Sequence, residues 1–144
     1  MKLALDTNLY VRAFRDLGAA AELEGFHESH APHLYLCSVV LHEMEVGGAS
    51  PLAARWMART ARPFTATRRV VTPSHAAWRD AGSAINRLAL AHRIDRRTVS
   101  RSLVNDFLIA ATCRESGVTL VTDNTRDFTT IQSVLPFDFV APWP

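Results

Sequence analysis

Four stretches of this 144-residue sequence carry acids where acids are not expected by chance of composition. Asp6 directly follows the apolar run Lys2-Leu3-Ala4-Leu5 and precedes Thr7 and Asn8. Glu43 lies in Ser38-Val39-Val40-Leu41-His42-Glu43-Met44-Glu45-Val46-Gly47, where helical spacing aligns it with Val39 and Val40 and turns Glu45 elsewhere. Asp106 sits inside Leu103-Val104-Asn105-Asp106-Phe107-Leu108-Ile109-Ala110-Ala111, with Ile109, Ala110 and Cys113 on its face and no cation three or four residues away. Asp123 and Asp127 follow the apolar segment Val118–Thr122, with Asn124 between them. Each position has an ordinary explanation alone: Asp6 as a helix cap, Asp123-Asn124 as turn chemistry, Glu43 as a solvated side chain. Asp106 is the hardest to explain this way, because Asp is a poor helix former and an unpaired buried carboxylate is costly.

Brought together, these acids have a defined chemistry. Two carboxylates ~4 Å apart repel by about 4 kcal/mol at an effective dielectric near 20. No Lys or Arg adjoins Asp6, Glu43 or Asp106 to relieve this. Either some of them hold protons or divalent cations sit among them. Oxygen donors without a Cys or His pattern favour Mg²⁺ or Mn²⁺ over zinc. Mg²⁺ held by acids recruits phosphate oxygens, and a pair of such ions suits in-line displacement at a phosphodiester.

The elements that must position these residues alternate. Residues 2–5 form a short apolar strand, followed by a short helix and a second helix over 19–28 that breaks at His30-Ala31-Pro32-His33. Residues 34–37 form a second strand, and a helix from Val39 stops at Gly47-Gly48. Ser50-Pro51 starts a helix expected to end before Pro63. Residues 69–71 are a third strand; Thr72-Pro73-Ser74 opens a long helix to about His92; Thr98 is expected to cap a further helix to Ser116, closed by Gly117. Residues 118–122 are the clearest strand, then a strand-to-helix turn, and 137–140 a last edge strand. Alternation of this kind implies an α/β fold with a parallel sheet covered on both faces. In such sheets ligands bind beyond the carboxyl ends of the strands, so Asp6 and the Asp123–Asp127 stretch share one rim.

Length fits one domain spanning 1–144, and 48% apolar with 21% charged residues excludes a disordered chain. No apolar run spans a bilayer, and the first residues lack a signal-peptide core, which fits a cytoplasmic protein. Cys37 and Cys113 are expected as buried free thiols. The net charge of +2 hides a division: residues 55–101 hold eleven Arg against two acids, a net +9, and the rest carries −7. A basic middle with acidic flanks suits a polyanion approached by one surface, although an ordinary solvated helix face in an Arg-rich protein would look the same.

The motifs Asp6-Thr7-Asn8, Ser38…Glu43-Met44-Glu45-Val46-Gly47, Asn105 to Ala111 and Leu120 to Phe128 together resemble the PIN domain family, in particular the VapC-type toxins of bacterial toxin–antitoxin pairs. The similarity runs from about residue 2 to 140; each motif is weak alone, and four in order are specific. The resemblance implies a three-layer α/β/α sandwich with a mostly parallel sheet of four to five strands. It implies a Mg²⁺- or Mn²⁺-dependent ribonuclease leaving 5′-phosphate and 3′-hydroxyl ends. Its first three acids correspond to Asp6, Glu43 and Asp106, and the metal set to Asp6, Asp106 and Asp127. Asp127 fits the fourth place through its Thr-x-Asn-x-x-Asp-Phe setting; Asp123 competes, with Thr122 ending the strand and Asn124 as a polar helper. Thr7 and Ser38 are implied hydroxyl ligands through water, with Asn8 beside the first acid.

The basic segment would hold the RNA backbone, with Arg93, Arg96, Arg97 and Arg101 nearest the Asp106 helix. The stripe Leu52, Trp56 and Met57 is the expected antitoxin surface, and a homodimer is implied. His27, His30 and His33 do not make a credible metal site, because Pro32 breaks the helix their spacing needs. Trp56, Trp78 and Trp143 could stack bases but suit packing better. Two other readings compete. A haloacid-dehalogenase-like phosphatase needs a second Asp where Asn8 stands. A PIN-like module that binds RNA or a partner without cleaving would not need the full acid set.

Overall fold

The computed structural model describes residues 1–143. Five parallel strands, β1 (Lys2–Leu5), β2 (Leu34–Cys37), β3 (Val70–Val71), β4 (Val118–Val121) and β5 (Phe139–Val140), form one sheet in the order β3-β2-β1-β4-β5. Around it lie α1 (Thr7–Arg15), α2 (Leu17–His30), α3 (Ser38–Gly47), α4 (Pro51–Ala66), α5 (His75–Leu90), α6 (Arg101–Ser116) and α7 (Thr125–Gln132). Right-handed crossovers put α1 to α4 over one face and α5 to α7 over the other. The contacts agree: α1 packs on α2 and α3, while α6 packs on α5, α7 and β4. The α/β/α sandwich and parallel sheet expected from the sequence are thus present.

The central strands are short, apolar and buried on both sides, as β1 and β4 illustrate with Leu3, Leu5, Leu120 and Val121 at 1% exposure or less. Their pairing is also what places the site. From β1 the chain proceeds toward β2 and from β4 it proceeds toward β5, so the direction of travel reverses between these two neighbours. The crevice at the carboxyl ends of β1 and β4 is therefore the topological switch point.

Local chemistry shifts several boundaries from those expected. Helix α4 runs through Pro63 to Ala66 rather than stopping before the proline. Pro63 forfeits one backbone bond, but the burial of Ala61 and Phe64 on either side holds the helix together. Ser100, not Thr98, caps α6: its Oγ accepts the Leu103 N–H at 3.1 Å, and Thr98 sits in a single 3₁₀ turn over Arg96–Thr98. Helix α5 ends at Leu90, and His92 adopts φ 56° in the turn beyond. Gly117 closes α6 at φ 62°, a conformation that glycine enters without strain.

Cys37 and Cys113 are buried free thiols. The three histidines go separate ways, with His27 edge-on to Tyr10 and Phe64, His30 stacked on Phe26 and His33 exposed. Trp56 packs on Phe14 and Trp143 on Phe26, while Trp78 is exposed. No helix among the described residues is long and apolar enough to cross a membrane.

Candidate functional site

Four elements supply the acids. Asp6 is the residue between β1 and α1, where its backbone N–H still bonds Val121 O at 2.9 Å and ties the end of β1 to β4. Glu43 stands in the second turn of α3, Asp106 in the second turn of α6, and Asp127 in the first turn of α7. These residues, up to 121 positions apart in sequence, lie near enough that Asp106 feels the charges of Asp6, Glu43 and Asp127.

Asp6 is held firmly. Its Oδ1 accepts the Thr7 N–H at 2.8 Å and its Oδ2 accepts the hydroxyl of the fully buried Thr122 at 2.7 Å. Thr122 Oγ1 in turn accepts the Asn124 N–H at 3.0 Å, which shapes the loop after β4. Burial raises the Asp6 pKa, the bonds from Thr122 and Thr7 pull it down, and the charges of Glu43 and Asp123 raise it; the result is about 6. Glu43 accepts a hydrogen bond from Thr7 Oγ1 on one oxygen and from Asn105 Nδ2, at 3.1 Å, on the other.

Asp106 has no such support. It is 8% exposed, and among the described residues it accepts no side-chain hydrogen bond and no ion pair. Burial and then the charges of Asp6, Glu43 and Asp127 raise its pKa to about 8. Asp106 therefore lies near enough to Asp6, Glu43 and Asp127 to feel their charges. Asp123 differs: it is bound to Arg12 Nη1 at 3.0 Å, on the rim, and acts on Asp6 rather than Asp106.

The other expected residues divide. Thr7, Thr122 and Asn124 are built into the pocket's hydrogen bonds, whereas the exposed Asn8 and half-buried Ser38 donate no side-chain bond to the acids among the described residues. Asn105 and Arg12 carry contacts that sequence reasoning did not assign, and the Asn105-Asp106 adjacency was the available signal for the first. Of the basic turn, Arg101 lines a cleft of about 250 Å³ together with Glu43, His42, Val46 and Asn105. Arg93 is bonded to Ser133 Oγ at 2.8 Å and Arg97 to Asp95 at 3.2 Å, while Arg96 is exposed. Trp56 and Met57 line an apolar hollow of about 130 Å³ with Tyr10, Val11, Phe14 and, at one end, Glu43. Leu52 is 60% exposed beside it without lining it.

The chemistry of the donors is that of hard divalent cations: oxygen ligands, two buried carboxylates with raised pKa, and, among the described residues, no ion pair on Asp6, Glu43, Asp106 or Asp127. Among the described residues no three His, Cys, Asp or Glu side chains are grouped closely enough to hold a metal ion as they stand.

The fold is thus a parallel α/β/α sandwich with acids at its switch point. The family model described as PIN domain matches residues 3–132, and the chain belongs to that family. No curated protein sequence matches it. Among solved structures, the chain is similar to DNA-bound VapBC from Salmonella typhimurium, at 20% identity with 98% of each chain covered and a TM-score of 0.70. It is also similar to VapBC2 from Rickettsia felis bound to a promoter DNA fragment, at 21% identity over 100% of each chain, TM-score 0.66. FitAcB from Neisseria gonorrhoeae matches at 18% identity over 98% of each chain, TM-score 0.68.

Proposed function

We propose that this chain is a Mg²⁺- or Mn²⁺-dependent endoribonuclease and the toxin of a VapBC-type toxin–antitoxin pair. The observation that carries the reading is Asp106, a buried carboxylate pushed to about 8 by burial and three neighbouring acids with no protein cation to relieve it. Asp6, Asp106 and Asp127 are the residues to hold the metal, which when bound polarises the scissile phosphodiester and acidifies water. Glu43, gripped on both oxygens, orients the attacking water and receives its proton. In-line attack breaks the P–O3′ bond and leaves 5′-phosphate and 3′-hydroxyl ends. Thr122 and the Thr7 N–H keep Asp6 aimed, so the pocket needs little rearrangement when substrate arrives.

Arg101, on the cleft beside Glu43, and Arg96 are the residues best placed to hold RNA phosphates; Arg93 and Arg97 already have partners. The hollow lined by Trp56 and Met57 is the proposed antitoxin seat, with Leu52 on its margin, and antitoxin bound there would lie against Glu43. The solved relatives are themselves VapBC and FitAB assemblies, which supports a protein partner of this kind. We further propose a homodimer in the cytoplasm. The reading is tested by RNA cleavage in Mg²⁺ or Mn²⁺ with sequencing of the RNA ends. Wild type should cleave, and Asp6→Asn and Asp106→Asn should not; full activity in either variant rejects the site, and cleavage unaffected by EDTA rejects the metal.

A further inference from the structure

We propose that Asn105 is a positioning residue for Glu43, a role that rests on the nuclease reading above. Like Asp6, Glu43 has both oxygens occupied by neutral donors from different elements, here the Thr7 hydroxyl from α1 and the Asn105 amide, at 3.1 Å, from α6. Asn105 precedes Asp106, so the same turn of α6 delivers one acid and fixes another. A half-buried Glu on a helix has three rotatable side-chain bonds and would sample several rotamers without such restraint. With both oxygens engaged, the carboxylate is held in one orientation. The amide is neutral, so it restrains Glu43 without cancelling the negative field that the acids share; an Arg or Lys at position 105 would cancel it. Asn105 also lines the cleft with Arg101, on the side from which phosphate would come, so it fixes Glu43 relative to the direction of substrate approach.

Asn105→Ala keeps the helix, since Ala is the better helix former, and removes only the amide. The expected result is a fall in kcat of about 10- to 100-fold, the scale of a misplaced reacting group, with KM for RNA within about two-fold. Asn105→Asp, equal in size but anionic, should lose at least as much, because it repels Glu43 instead of holding it. In a Glu43→Ala background, Asn105→Ala should cost nothing further. A readout independent of cleavage is the side-chain order of Glu43 by NMR in the metal-free protein, which should be high in wild type and averaged over rotamers in Asn105→Ala. Unchanged Glu43 order in Asn105→Ala, or a full additive loss of kcat on top of Glu43→Ala, overturns the role. If wild type cleaves no RNA while Glu43 loses order in Asn105→Ala, the nuclease reading fails and the positioning contact stands.

Discussion

The acid pocket and the basic turn between α5 and α6 carry opposite charge, and the protein treats the two differently. In the pocket, Asp6 and Asp106 are 3% and 8% exposed, and among the described residues no basic side chain pairs with either. In the turn, Arg93, Arg96, Arg97 and Arg101 are all exposed, and two of the four are already engaged by Ser133 and Asp95. The pocket therefore stores unfavourable electrostatic energy that the packing of the sheet must overcome, whereas the turn stores little. The turn has the character of a surface that any polyanion could use.

The largest effect expected from this contrast is at Asp106. Asp106→Asn removes the charge most raised by its neighbours and should lower RNA cleavage by at least about 1,000-fold, while making the metal-free protein more stable at pH 8 by roughly 1–3 kcal/mol. For a chain of this size that is a rise in Tm of about 3–10 °C. A lower Tm at pH 8 would show that the charge is already compensated.

The pH dependence follows with a definite sign. Asp6 at about 6 and Asp106 at about 8 both lie above the unfolded carboxylate value near 3.9, so the folded metal-free protein binds more protons than the unfolded chain between those limits. Stability contributed by these two acids is complete below pH 4 and is lost as pH rises through 6 and 8. Thermal melts in EDTA should thus fall in Tm between pH 5 and 8.5 from this source. Millimolar Mn²⁺ should restore the loss at pH 8 and do little at pH 5. Asp106→Asn should flatten the EDTA profile; an unchanged slope would contradict the assignment.

What the sequence disclosed of this pocket, and what it hid, has a physical basis. Asp6 and Asp106 were legible because each interrupts an apolar run, and burial makes such interruptions expensive. The crevice was legible because short apolar strands alternating with helices leave few topologies. Competition between Asp123 and Asp127 was not resolvable, since both follow the same strand and both suit a turn; only the fold pairs Asp123 with Arg12 and sets Asp127 against Asp106. The Asn105–Glu43 bond joins residues 62 apart, and nothing in a half-buried Asn signals its partner. The start of α6 is ambiguous in the sequence because Thr98 and Ser100 both have capping hydroxyls, and the 3₁₀ turn that decides between them depends on Asp95 accepting the Arg97 N–H.

On the basic side the effects should be smaller and should separate the free arginines from the engaged ones. Arg101→Ala and Arg96→Ala should each weaken RNA binding by about 3- to 10-fold at low salt and lower the log–log salt slope by about 0.7, the loss of one phosphate contact on a single strand. The effect of Arg101→Ala should be greater, because it faces the cleft that holds Glu43. Binding that keeps its salt slope in the Arg96→Ala/Arg101→Ala double variant would remove the turn from the RNA surface.

The smallest effect is expected at Arg93, and it tests whether exposure alone makes a cation available. Its guanidinium is bonded to Ser133 Oγ at the end of α7, so it links the turn to the neighbouring helix instead of projecting freely. Binding RNA through Arg93 would first require breaking that bond. Arg93→Ala should therefore change RNA affinity by less than about two-fold, and stability by no more than about 0.5 kcal/mol, the range of an exposed substitution. Should Arg93→Ala weaken binding as much as Arg101→Ala, the arginines of the turn act as one diffuse field and the distinction between paired and free members has no functional weight.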